Sequence, residues 1–219
     1  EIIRGVEIEN KNFMIVDFLL FLLDQKHILM FKDIFLRLYR LVTRPSATWQ
    51  KMAQEEETAQ SLFFSRFLFP MMGLAALSCF AILFGREFNA ENLEYVLRLA
   101  IVEFVKFFIG FYFLAFLFKE ILPHFMAHPE KETIERFVGS LLAIYMSVDI
   151  VVNILPEGFS FLEYASLCLF YFIWTGAKFF LKIDEARQKI FTLVATIFVL
   201  VTPIVIERIL YLMMPGMNR

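Results

Sequence analysis

Several familiar sources of structure and chemistry are scarce in this chain of 219 residues. Two cysteines exclude a disulfide scaffold, and eight glycines with seven prolines exclude collagen-like or Pro/Gly-rich disordered chains. A formal net charge of −2 argues against nucleic acid as a partner. There is no Gly-rich phosphate loop, no nucleophile elbow and no Cys-rich metal cluster. His124 and His128 have the i, i+4 spacing of a metal pair. They lack the glutamate of the metalloprotease motif and lie between Pro123 and Pro129, where a regular helix is disfavoured. No catalytic residue, metal site or cofactor is therefore expected. Cys79 and Cys168 read as small packing residues.

Apolar surface is what the chain has in excess. Its hydrophobic fraction is 59%, against roughly 45–50% for soluble globular domains. Phenylalanine accounts for 29 residues, more than a soluble core of this size could cover. The excess falls in blocks. A helix crossing about 30 Å of hydrocarbon needs about 20 mostly apolar residues. Five segments qualify: 67–85, 96–118, 137–155, 159–181 and 189–214. Their continuity predicts helices, since a membrane barrel would alternate in short segments. Pro203 should kink the last one. Residues 13–23 are too short to span and lack the features of a signal peptide. Residues 1–30 read as an N-terminal extension outside the membrane domain.

Charge asymmetry sets an expected orientation. Residues 1–66 carry nine Lys and Arg, the loop 86–95 one, the loop 119–136 three and the loop 156–158 none. By the positive-inside rule the N-terminus is cytoplasmic and, with five crossings, the C-terminus is outside. Before the spans, Phe31, Ile34, Phe35, Leu38, Leu41 and Val42 recur at helical spacing while Lys32, Asp33, Arg37 and Arg40 avoid that stripe. This basic amphipathic helix suits the interface or the cytoplasmic ends of the bundle, with Arg37 and Arg40 near lipid phosphates. Arg44-Pro45 ends it, and Trp49 on the next short helix is expected as a headgroup-level anchor. The expected architecture is an all-α polytopic bundle of five transmembrane helices over 61–219, preceded by an amphipathic cytoplasmic helical module over 31–60.

Leu41-Val-Thr-Arg-Pro-Ser-Ala-Thr-Trp-Gln-Lys-Met52, Phe67-Leu-Phe-Pro70, and Tyr171-Phe-Ile-Trp-Thr-Gly-Ala-Lys178 followed by Asp184-Glu-Ala-Arg187 together resemble the bacterial branch of the Yip (Ypt-interacting protein) domain family. The resemblance covers residues 31–214 and implies a five-helix membrane domain. Eukaryotic members engage Rab-type GTPases in vesicle traffic and membrane shaping. This chain lacks their long polar N-terminal region and their Asp-Leu-Tyr-Gly-Pro type signature.

Charges inside a membrane are rare and face the bundle interior. Tyr145, Asp149 and Asn153 lie at i, i+4, i+8 on the third span, and Glu103 and Lys106 at i, i+3 on the second. Lys106 and Asp149 each lie 12 residues from the expected cytoplasmic end of their span, about 18 Å deep, and should pair. The cluster reads as a structural clamp fixing helix register, or as a proton or ion relay. Gly139, Ala143 and Ser147 form a small-residue stripe that permits close helix packing, within the bundle or across a homo-oligomer. Lys178 is expected to snorkel, and Glu207 and Arg208 to lie near the outer boundary. Two functions follow as expectations. One is a non-enzymatic membrane protein of a bacterial inner membrane acting through membrane lipids or an unidentified protein partner. The other is a small ion-coupled carrier using the Lys106/Asp149 region.

Overall fold

A computed structural model describes residues 25–54, 63–85, 89–126, 129–155 and 157–214. The expectations for residues 1–24, the acidic run 55–57 and His128 fall outside these described residues. The side chains of residues 25–30, 84, 85, 157, 160 and 163 are likewise not described. All regular structure among the described residues is helical. The chain divides into two compact units, residues 1–39 and 40–219. The described part of the first lies on helix α1, Gln25–Thr43, which begins inside the expected extension over 1–30 and runs on through Thr43. Along this helix Ile34, Leu38 and Leu41 are buried, whereas Phe35 and Val42 are exposed, so the expected apolar stripe is divided.

The second unit holds α2 (Pro45–Gln54), α3 (Phe69–Ser78), α4 (Ala90–Ile121), α5 (Lys131–Ile154), α6 (Leu169–Phe179) and α7 (Glu185–Met213). A π-helical stretch, Phe64–Leu68, leads into α3, and a 3₁₀ stretch, Cys79–Gly85, follows it. Pro70 explains the first: a proline has no N–H and its ring crowds the carbonyl four residues back, so the preceding turn widens. Asn89 caps α4 by accepting the Asn92 N–H at 2.8 Å. Between α6 and α7, Lys182 adopts φ 54° while the Ile183 N–H donates to the Ala177 carbonyl at 2.9 Å. That bond reaches back six residues, and a left-handed residue is a recurrent way to close a helix, usually with glycine.

Among the described residues four helices are long and apolar enough to cross a membrane: Phe64–Leu83, Ala90–His124, Lys131–Ile154 and Glu185–Met213. The expected span over 159–181 is not among them. In its place a 3₁₀ segment, Glu157–Cys168, precedes the 11 residues of α6. A continuous apolar run does not distinguish 3₁₀ from α backbone, which is why the run was legible and its geometry was not.

The four long helices pack around one another, with α4 against both α5 and α7. Their surfaces are inverted relative to a soluble protein. Ile101, Phe104, Phe108, Tyr112 and Phe116 form an exposed ridge along α4, and Ile190, Leu193, Ile197 and Val201 one along α7. Meanwhile Glu103 and Lys106 are buried. Apolar ridges of that extent demand an apolar solvent.

Candidate functional site

The site grows from α4. Its buried face carries Val96, Ala100, Glu103, Lys106, Phe107, Gly110, Phe111, Leu114 and Phe118, so both charges point inward with the core phenylalanines. Lys106 Nζ lies 2.8 Å from Glu103 Oε2, 2.9 Å from Asp149 Oδ2 on α5 and 3.3 Å from Glu207 Oε2 on α7. One ammonium thus ties three helices together through three carboxylates. The same nitrogen stands 4.6 Å from the Phe107 ring centroid. Phe107 in turn packs edge-on against Tyr145, with 5.8 Å between ring centroids. Of the expected polar cluster, Glu103, Lys106, Tyr145 and Asp149 are brought together here. Asn153 turns to α3, where its amide donates to Ser78 Oγ at 3.0 Å, and Ser78 donates to the Ala75 carbonyl.

Glu207 is the member that sequence reasoning missed. Counting residues inward from the end of the last span placed it at the boundary. Yet α4 has 32 residues, about 48 Å of helix, so its middle lies level with the last turns of α5 and α7. The i+1 neighbour Arg208 is exposed. The signal that could have located Glu207 is an acid six residues from the C-terminus of a mostly apolar helix, opposite a buried lysine.

A cavity of about 430 Å³ opens on this cluster, lined by Glu103, Lys106, Asp149 and Asn153 together with Tyr164, Ser166, Glu207, Arg208 and Tyr211. It lies toward the C-terminal ends of α5 and α7. In the other direction α4 buries Phe107, Phe111, Leu114 and Phe118, the last of which meets Phe137 from α5 and Phe191 from α7. The recess therefore ends on a wall of phenylalanines. Among the described residues no group of three His, Cys, Asp or Glu is arranged to hold a metal ion.

The remaining candidates lie outside this cluster. Trp49 is fully buried rather than placed on a lipid-facing surface, 5.4 Å from the Phe137 ring and 5.3 Å from that of Phe180. The preference of tryptophan for headgroups gives way here to the aromatic pocket available where α2 docks on α6. Arg136 donates to the Met52 carbonyl at 2.9 Å, holding the end of the same short helix. Arg37 is half-buried and Arg40 exposed, the latter's carbonyl accepting from Thr48 Oγ1. Gly139 faces Phe63 and Leu68, Ala143 is fully buried, and Ser147 donates to the Ala143 carbonyl. The small-residue stripe thus accommodates side chains of the same chain. Lys178 pairs with Glu185 at 3.0 Å.

No family model, curated protein or solved structure matches the chain. What it does has to be argued from the site alone. A charged cluster on a closed-ended recess can hold a polar group within an apolar bundle. Its hydroxyl and thiol groups are those of Tyr145, Tyr164, Tyr211, Ser166 and Cys79.

Proposed function

We propose that the chain is a non-enzymatic integral membrane protein of a bacterial inner membrane, Yip-like in layout, which works by holding lipids or protein partners. The observation that carries this reading is the closed recess. Lys106 joins α4, α5 and α7 at one end of the bundle, and buried phenylalanines occupy the path toward the other. Solute transport needs a site that opens to each side in turn, whereas a clamp needs only its charge contacts.

Five crossings, with the N-terminus cytoplasmic and the C-terminus outside, belong to the same proposal. The course of residues 157–179 supports it. Tyr164 and Ser166 line the recess beside Asp149 and Asn153, at the C-terminal end of α5. Gly176 lies against Phe137 and Trp49, at the other end. From residue 137 to residue 153 is about 24 Å of helix, most of a hydrocarbon layer. The segment therefore retraces α5, and α7 starts on the Trp49 side. Reporter fusions ending at residues 157 and 184 are expected on opposite faces of the membrane, the second cytoplasmic. The same face for both would defeat the five-crossing layout.

The charged cavity itself favours a second reading, an ion-coupled carrier. Thiol labelling separates the two on a background without Cys79 and Cys168. Cysteines at 149 and 153 should react with a membrane-impermeant reagent added outside and remain silent to one added inside. Reaction from both sides, or proton or cation flux through proteoliposomes, would support the carrier and reject the holding role.

A further inference from the structure

The recess holds more acid than its lysine balances. Glu103, Asp149 and Glu207 line it against two cations, Lys106 and Arg208, leaving one unit of negative charge when all are ionised. Lys106 engages one oxygen of each carboxylate. The second oxygen of Glu103, Oε1, is buried and has no hydrogen-bond partner, although the residue is only 8% exposed. An acceptor left unpaired at that depth calls for a donor, and a charged acceptor calls for a charged one. The volume, about 430 Å³, falls in the range of small-molecule sites. The three carboxylates converge on the Lys106 ammonium, which occupies the point a cation would take, so hydrogen bonding is the chemistry their remaining oxygens offer.

We propose that this recess binds the primary ammonium group of a short aliphatic amine, the ammonium donating to Glu103 and sharing the acid cluster with Lys106. A primary ammonium brings the single positive charge and the three donors that the wall lacks, and its short alkyl stem fits beside Tyr145 and Val152. A quaternary ammonium of equal charge has no N–H and leaves Glu103 unsatisfied. The same group has two sources, a free amine in water or the ethanolamine headgroup of a phospholipid. The exposed Tyr164 on the recess wall leaves either one an approach.

The test uses the full chain in nanodiscs of phosphatidylcholine, with thermal unfolding and direct calorimetry as readouts. Ethanolamine is titrated against choline as the control. In parallel, discs containing phosphatidylethanolamine are compared with all-choline discs of the same acyl chains. Stabilisation by ethanolamine but not by choline identifies a soluble amine as sufficient. Stabilisation only in the ethanolamine-lipid discs identifies the headgroup. Either outcome supports the proposal if Glu103→Gln weakens the effect tenfold or more, the loss expected for a charge-assisted hydrogen bond. Val152→Trp, which fills the recess and leaves every charge in place, should abolish the effect as well, so the proposal stays testable if the Glu103 variant folds poorly. No stabilisation from either source, equal stabilisation by choline, or an undiminished effect in Val152→Trp would overturn it. The holding role proposed above would survive that failure, because its own test is transport and labelling.

Discussion

Replacing Lys106 with methionine removes one charge and strands three. Each Lys106 contact is worth roughly 5–6 kcal/mol of attraction at an effective dielectric near 20, before the desolvation of either partner is counted. Desolvation offsets most of that, and breaking a buried pair by deleting one partner leaves a net loss of about 3–5 kcal/mol. Three carboxylates lose their counter-ion at once, so Lys106→Met should fall at the upper end of this range. Asp149→Asn alone leaves Lys106 two partners and lowers the local acid excess, so its effect should stay below about 1.5 kcal/mol. In the double variant the neutral amide at position 149 no longer needs a cation. The combined loss should therefore be smaller than the sum by at least about 1 kcal/mol. Rescue should also follow burial. Glu103, with a side chain 11% exposed, should rescue more when changed to Gln than Glu207, at 29%. Equilibrium unfolding in mixed micelles, followed by circular dichroism, supplies the energies. Additivity within about 0.5 kcal/mol, or better rescue by Glu207→Gln than by Glu103→Gln, would refute the shared-cation account.

Other positions give simpler readings. A Cβ added at Gly176 would stand 2.6 Å from Phe137 Cε2 and 3.1 Å from Trp49 Cε2. Gly176→Leu should cost about 3 kcal/mol and release α2, seen as faster proteolysis after Lys51. Lys182→Gly should raise stability by up to about 1 kcal/mol, because a side chain at φ 54° is strained and glycine is not; no gain in the unfolding midpoint would argue against the turn as described. Asn153→Leu deletes the bond to Ser78 and should cost about 1 kcal/mol in the same assay, with Ser78→Ala adding little more on top.

How far the sequence was legible varies by element. Of the five expected spans, four coincide with helices long and apolar enough to cross a membrane, because a continuous apolar run of that length is legible without knowing its packing. Lys106 and Asp149 could be set at one depth because their helices are neighbours and the count started from a shared end. Glu207 could not, since its depth depends on how far α4 overshoots its neighbours, a property of packing. Trp49 shows the converse. A residue-type preference for headgroups is an average over sites, and the pocket between Phe137 and Phe180 exists only once α2, α5 and α6 are assembled. The π turn before Pro70 was implicit in the proline, whereas nothing in residues 157–168 announces a 3₁₀ path.

The reach of the Lys106 contacts also sets a timetable for biosynthesis. Glu103 lies on the lysine's own helix, so α4 can enter the bilayer with its charge already half-neutralised. Asp149 follows 43 residues later and Glu207 a full 101 residues later. At ribosomal speeds of about 5–20 residues per second, the cluster waits roughly 5–20 s for its last member. Until α7 emerges, α4 and α5 carry an incomplete set of charges that the insertion machinery must shelter. A chain truncated before residue 207 would present that unfinished state permanently to the proteases that survey nascent membrane proteins.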